Sequence, residues 1–276
     1  MKKRVLYLAA AGIALTGTCG QVWAEETEEP ATILVAAAAS LEYSMTDELI
    51  PLFQEQYPWI TVEGIYDSSG KLQTQIEEGL EADVFVSAAK TQMNALNDEG
   101  MIAEDTMVDL LENKIVVIVP SDSDLEITEF ADIVKADIIA LGDPASVPAG
   151  QYAQEALTNL GVWEEASAKA SWGTNVTEVL NWVAEGSADA GIVYATDAAV
   201  RAEDTDVVDE APQGSLAEKV IYPAAVTEGS ANPEAARLFV EFLQSDEASE
   251  IFEEYGFTPY EEEEAETALE ETDGAA

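Results

Sequence analysis

The stretch Ile33-Leu34-Val35-Ala36-Ala37-Ala38-Ala39-Ser40-Leu41 decides how the chain folds. Its unbroken apolar run is what a strand buried on both faces looks like, and the serine that ends it stands where a helix can begin. Leu41, Met45, Leu49, Leu52 and Phe53 then recur near helical spacing, so 41–56 reads as a helix capped by Ser40 and kinked or broken at Pro51. Working outward, the same unit repeats. Strands are expected at 33–38, 60–66, 83–87, 114–119, 138–142, 190–194 and 220–226, and helices at 71–78, 149–160, 176–185, 234–243 and 246–255. Pro148 suits the first position of one helix and Asn175 the cap of another. The alternation predicts an α/β protein whose mostly parallel sheet is covered by helices, as one large domain or two lobes.

The ends read differently. Lys2, Lys3 and Arg4 precede an apolar run from Val5 to Leu15, and Val22-Trp23-Ala24 follows, which is the pattern of a secretory signal at 1–24 cleaved after Ala24. The lone cysteine, Cys19, lies inside it. Lipid attachment there is the second reading, set back because Thr18 stands where glycine or alanine is expected. Residues 25–31 form an acidic linker and 261–276 an acidic tail, both too charged to bury a core and expected to be disordered. Glu261 to Glu264 lack the spacing of a calcium loop.

Charge and composition exclude whole classes of function. Lys and Arg number 11 against 56 Asp and Glu, a formal charge of −45, so a nucleic acid is not the partner. With no histidine and one cysteine, most nucleophile–base pairs and nearly all zinc or copper sites disappear; no enzyme, no cofactor and no direct metal-ion ligands are expected. Gly64 to Lys71 approaches a phosphate-binding loop but spaces its glycines wrongly and has Leu72 where a hydroxyl should be. Asn175-Val176-Thr177 is a chance glycosylation triplet, and Trp163, Trp172 and Trp182 read as core.

What remains is three strand-to-helix junctions: Ala38-Ala39-Ser40, Asp67-Ser68-Ser69-Gly70 and Val147-Pro148-Ala149-Gly150. A helix start offers unpaired N–H groups and about half a positive charge, enough to attract an anion without lysine or arginine. Ser40, Ser68 and Ser69 can add hydroxyl donors, or each can simply cap its own helix.

The order of these junctions resembles the molybdate-binding protein family, the extracytoplasmic receptors of molybdate ABC importers. The opening run at 33–41 is followed by SSGKLQTQIEEGLEADVFVSA (68–88), GDPASVPAGQYAQEAL (142–157), GIVYATDA (191–198), VIYPAAV (220–226) and IFEEYGFTPY (251–260). The resemblance implies a two-lobed periplasmic-binding-protein fold of type II with two crossovers and the ligand in the interlobe cleft. One lobe would be 32–114 plus 220–260 and the other 115–219. It implies, as ligand contacts, the hydroxyls of Ser40, Ser69 and Tyr194 and the N–H groups of Ala149 and Val176. It further implies capture of molybdate and tungstate, delivery to a membrane permease with its cytoplasmic ATPase, and a monomer; sulfate or phosphate on the same fold is the alternative.

Asp67 and Gly70 flank Ser68-Ser69, where the resemblance implies small or hydroxyl residues, and the carboxylate of Asp67 is the departure that matters. A carboxylate about 4 Å from a dianion costs roughly 1–4 kcal/mol, so Asp67 either points away or accepts a proton from a partly protonated ligand such as phosphate. With no histidine or lysine among the contacts, affinity is expected to be nearly flat between about pH 6 and 8.

Overall fold

The computed structural model describes residues 29–261. The signal segment, Cys19, most of the acidic linker and all but the first residue of the tail lie outside the described residues. Two mixed sheets carry the fold. In the first, β1 (Ala31–Ala38) lies between β2 (Ile60–Asp67) and β3 (Val84–Val86), parallel to both, and Ala38 pairs with Asp67 at the end of the ladder. β4 (Val108–Asn113) belongs to the same sheet; the chain then crosses at Lys114 into β5 (Ile115–Pro120) of the second. There β6 (Ile139–Gly142) runs parallel to β7 (Ala170–Gly173) and β8 (Ala190–Tyr194), while β5 is antiparallel to β8 and to β9 (Thr205–Glu210). After Glu210 the chain returns to the first sheet as β10 (Val220–Val226), antiparallel to β3 and β4, and ends on the short β11 (Thr258–Pro259). The exposed ion pairs Lys114–Glu210 (2.9 Å) and Lys219–Glu112 (3.0 Å) bracket the two crossings.

The sheets are therefore less parallel than the sequence predicts. β4 continues across Lys114 into β5 and β9 leads back into β10, so the returning chain runs against the outgoing one: β9 against β5 and β10 against β4. The strands not foreseen are β4, β7, β9 and β11. β9 (TDVVDE) has only Val207-Val208 between its carboxylates on a sheet edge, where carboxylates discourage pairing with a second chain, so it carries no apolar run.

The helix expected at 41–56 is broken earlier than Pro51. A 3-10 turn (Ala39–Leu41) leads into α1 (Glu42–Ser44), a π-helical turn (Met45–Leu49) and α2 (Ile50–Gln56). Proline has no N–H for the carbonyl four residues back and its ring crowds that carbonyl, which the wider turn before it relieves. Leu41, Met45, Leu49 and Phe53 nevertheless stay fully buried, and Phe53 meets Phe239 edge-on at 5.0 Å.

The remaining helices are α3 (Ser69–Glu77), α4 (Lys90–Asp98), α5 (Pro148–Asn159), α6 (Trp163–Ser167), α7 (Val176–Ala184), α8 (Ala195–Val200), α9 (Pro233–Leu243) and α10 (Asp246–Glu254). Pro148 begins α5, and Asn175 caps α7 by accepting from Glu178 N at 2.9 Å. Of the three tryptophans expected in the core, Trp172 is instead 40% exposed and tilted against Trp163 at 5.9 Å, while Trp163 and Trp182 are half-buried and pack against the core. Among the described residues no helix is long and apolar enough to cross a membrane.

Candidate functional site

Parallel strands deliver their carboxyl ends, and the helix starts that follow, to one edge of each sheet. Here those edges face each other. β1, β2 and β3 lead to Ser40, Ser68-Ser69 and Ala88, while β6, β7 and β8 lead to Val147-Pro148-Ala149, Val176 and Tyr194. All of these residues line one small pocket of about 200 Å³ of unfilled space, mouth included. The five contacts expected from the resemblance, Ser40, Ser69, Ala149, Val176 and Tyr194, are thus brought together, three from one lobe's β6–β8 ends and two from the other's β1 and β2 ends.

Each donor is set by its local structure. Ala149 and Val176 lie in the first turns of α5 and α7, where backbone N–H groups have no intrahelical acceptor, and both are buried. Ser69 opens α3 and is 0% exposed; its Oγ accepts from Ala88 N at 2.9 Å, which leaves its proton to donate elsewhere. Ser40 caps no helix. It sits inside the 3-10 turn with its Oγ 2.9 Å from Tyr222 Oη, and Asn113 Nδ2 donates to that same phenol oxygen at 3.2 Å and to Thr196 Oγ1 at 2.9 Å. Asn113, Tyr222 and Ser40 thus form a relay in which either hydroxyl of the last pair can be the donor. Tyr194, 1% exposed, lines the pocket, and its hydroxyl is buried without a hydrogen-bond partner among the described residues; Ser68 Oγ is likewise buried and unpartnered there. Two buried hydroxyls with nothing to bind are costly unless a ligand satisfies them.

The electrostatics favour neutral donors. Among the described residues lining the pocket none is lysine, arginine or a carboxylate. Burial pushes the Tyr194 phenol well above its ordinary range, helped by Tyr222, Tyr152 and Asp197 nearby, so it stays a donor at every working pH. Asp67 points away from the pocket: its carboxylate accepts from Ser68 N at 2.8 Å, pairs with Lys71 Nζ at 3.1 Å and accepts from Asn175 Nδ2 at 3.4 Å. Of the two readings left open for Asp67, the structure takes the first.

Sequence reasoning missed Tyr222, Asn113 and Asp197. Asp197 is fully buried in the first turn of α8, accepts from Tyr194 N at 3.1 Å, and its carboxyl is pushed up to about 7, chiefly by burial and partly offset by that N–H. Its signal was visible only as an acid at a helix start. A larger cleft, with about 1270 Å³ of unfilled space, mouth included, is lined by Lys90, Asn94, Asp109 and Tyr260 and shares no residue with the small pocket. Its one cation is paired with Asp109 at 2.6 Å, so the small pocket carries the chemistry. No described residues form a cluster of three or more acidic, cysteine or histidine ligands.

The family model for bacterial extracellular solute-binding proteins matches residues 33–258, and the chain belongs to that family, whose members are solute receptors. YvgL of Bacillus subtilis, named as an ABC transporter substrate-binding lipoprotein, is 38% identical over 259 residues, covering 93% of this chain and 98% of its own. The molybdate-binding protein ModA of Escherichia coli is 36% identical over 264 residues, with 94% and 99% covered. A substrate-binding domain named for a molybdenum ABC transporter of Clostridium difficile superposes with a TM-score of 0.64 at 36% identity, covering 84% of this chain and 100% of that one. Within the family the chain is one of the molybdate-binding proteins, the substrate-binding components of ABC transporters.

Proposed function

We propose that the pocket holds molybdate, and also tungstate, and that the protein passes the ion to a membrane permease driven by a cytoplasmic ATPase, acting as a monomer outside the cytoplasm. One observation carries the reading: two lobes converge hydroxyl and helix-start N–H donors on a pocket whose lining has no carboxylate. A tetrahedral dianion needs donors only. Phosphate, partly protonated near neutral pH, would bring a proton that only a hydroxyl oxygen could accept, and each hydroxyl turned to accept it is a donor lost to the anion; an unsatisfied buried polar group costs about 1–3 kcal/mol. Sulfate has the same charge as molybdate, so the pocket's size must reject it. Cys19 and the lipid-anchored alternative are decided separately, by the mass of the mature N-terminus.

Calorimetry with molybdate, tungstate, sulfate and phosphate side by side tests the proposal. Molybdate and tungstate should bind at least about a hundredfold more tightly than the other two, and at a hundred times its dissociation constant molybdate should stabilise the fold by about 2.7 kcal/mol. Preference for sulfate or phosphate, or no binding at all, would sink it.

A further inference from the structure

Gln92 Nε2 of α4 donates across the cleft to Gln151 Oε1 of α5 at 3.2 Å, and two further bonds tie the lobes together beside the serine pair. Gly70 N donates to Ser146 O at 3.0 Å, and Asn175 Nδ2 donates to Asp67 Oδ1 at 3.4 Å. Gly70 and Asp67 flank the serine pair of the first lobe; Ser146 and Asn175 stand just before α5 and α7 of the second. A Cβ on Gly70 would lie 2.5 Å from Ser146 O and 2.7 Å from Ser146 Cα. Those are backbone atoms and cannot swing aside, so glycine is required for close approach across the cleft, not for an unusual backbone angle. Asp67 is held in place by Lys71 and by Ser68 N, while Asn175 uses its Oδ1 to cap α7. One asparagine therefore joins the first lobe to the helix start that presents Val176 N–H.

We propose that Asp67 and Gly70 form an interlobe latch that holds the pocket shut over its ligand, Gly70 by permitting contact with Ser146 and Asp67 as a positioning residue acting through Asn175. The latch rests on the pocket being the oxyanion site. It sets how long the ligand stays, since affinity differences within one site are mostly differences in dissociation rate.

The test uses the full chain with Gly70→Ala, Asp67→Ala and Asp67→Asn, stopped-flow molybdate release, and small-angle X-ray scattering with and without molybdate. Alanine favours a helix over glycine, so G70A should melt no lower than wild type without ligand, which separates a blocked latch from a damaged fold. G70A should release molybdate about tenfold faster or more and keep a larger radius of gyration at saturation. D67A should release it about three- to tenfold faster, while D67N, which retains an acceptor for Asn175, should stay within about twofold of wild type. If Asp67 acts instead as a repelling charge, D67A and D67N will both bind more tightly, and that overturns its role. A G70A variant that closes and holds molybdate like wild type overturns the latch, as does a wild type that never adopts the compact form. A wild type that closes but ignores molybdate leaves the latch standing and defeats the ligand assignment instead.

Discussion

At the scale of single residues, the pocket depends on protons that have nowhere else to go. Ser69 has its acceptor side occupied by Ala88 N, and Tyr194 has no partner among the described residues, so Ser69→Ala and Tyr194→Phe should each remove one charge-assisted hydrogen bond and weaken molybdate binding by about 1.5–3 kcal/mol in calorimetry. An unchanged dissociation constant would exclude the residue concerned. Tyr222→Phe should act less strongly, through a freed Ser40 hydroxyl, because it breaks the relay from Asn113 without touching the ligand. Asp197 adds a pH response that reading the donors alone does not foresee. Its folded value of about 7 exceeds the ordinary 3.8, so the folded chain keeps a proton that the unfolded chain releases. The favourable part of that difference is complete below about pH 4 and is lost as pH rises to about 7, a total on the order of 1–4 kcal/mol. Asp197→Asn should raise the melting temperature at pH 8 and flatten its slope between pH 5 and 8. Because an ionised Asp197 also repels the dianion, wild-type affinity should fall modestly over the same range, and D197N should not show it. Ser40, Ser69 and Ala149 were legible as candidate contacts because each stands where an apolar strand gives way to a helix start; Val176 and Tyr194 came only from the family resemblance, since pattern alone reads both as core. Tyr222 and Asp197 were not legible, because a tyrosine inside a strand and an acid in a first turn carry no local mark of the partners that tertiary packing brings to them.

At the scale of elements, the helix starts matter more than the strands that lead to them. α5 presents Ala149 N–H only because Gly150 lets the helix seat against the end of β6: a Cβ there would fall 2.1 Å from Gly142 O, a backbone atom of the same lobe. Gly150→Ala should therefore lift the whole first turn of α5, lowering the melting temperature and weakening binding together, whereas a lesion confined to the pocket would weaken binding alone. Asn175→Ala should cost about 1 kcal/mol of stability as a lost cap, and binding as well if Val176 N–H is a donor. Differential scanning calorimetry with and without molybdate separates the two. The elements that could be read from sequence, β1, β8, β10, α5 and α7, are those whose apolar runs or caps agree with their final place. Of those that could not, β7, β9 and β11 lie at sheet edges, where exposure permits Trp172 or clustered carboxylates and the apolar signal fades, while β4, inside its sheet, interrupts its apolar residues with Asp109 and Glu112. The π turn before Pro51 was half legible: the proline foretold a break, but only packing of Leu49 and Phe53 decided that the break would widen one turn and leave the helix otherwise on course.

At the scale of the molecule, a formal charge of −45 surrounds a pocket meant for an anion. The long-range field opposes the ligand and the short-range dipoles favour it, and salt acts on these two unequally. Distant carboxylates are screened within about 8–10 Å at ordinary ionic strength, while N–H and O–H groups touching the ion in a closed, dry pocket are screened far less. Raising sodium chloride from about 0.02 to 0.2 M should therefore leave molybdate affinity unchanged or improve it by up to several-fold, mostly through a faster association rate in stopped-flow. A site built on lysine or arginine would respond in the opposite sense, because salt would then weaken the attraction that recruits the ion. The sign of the salt dependence is thus a direct reading of what holds the ligand. A steep loss of affinity with added chloride would mean that a cation, not the converging helix starts and hydroxyls, supplies the binding, and that the lobes close around a different chemistry from the one their sequence prepares.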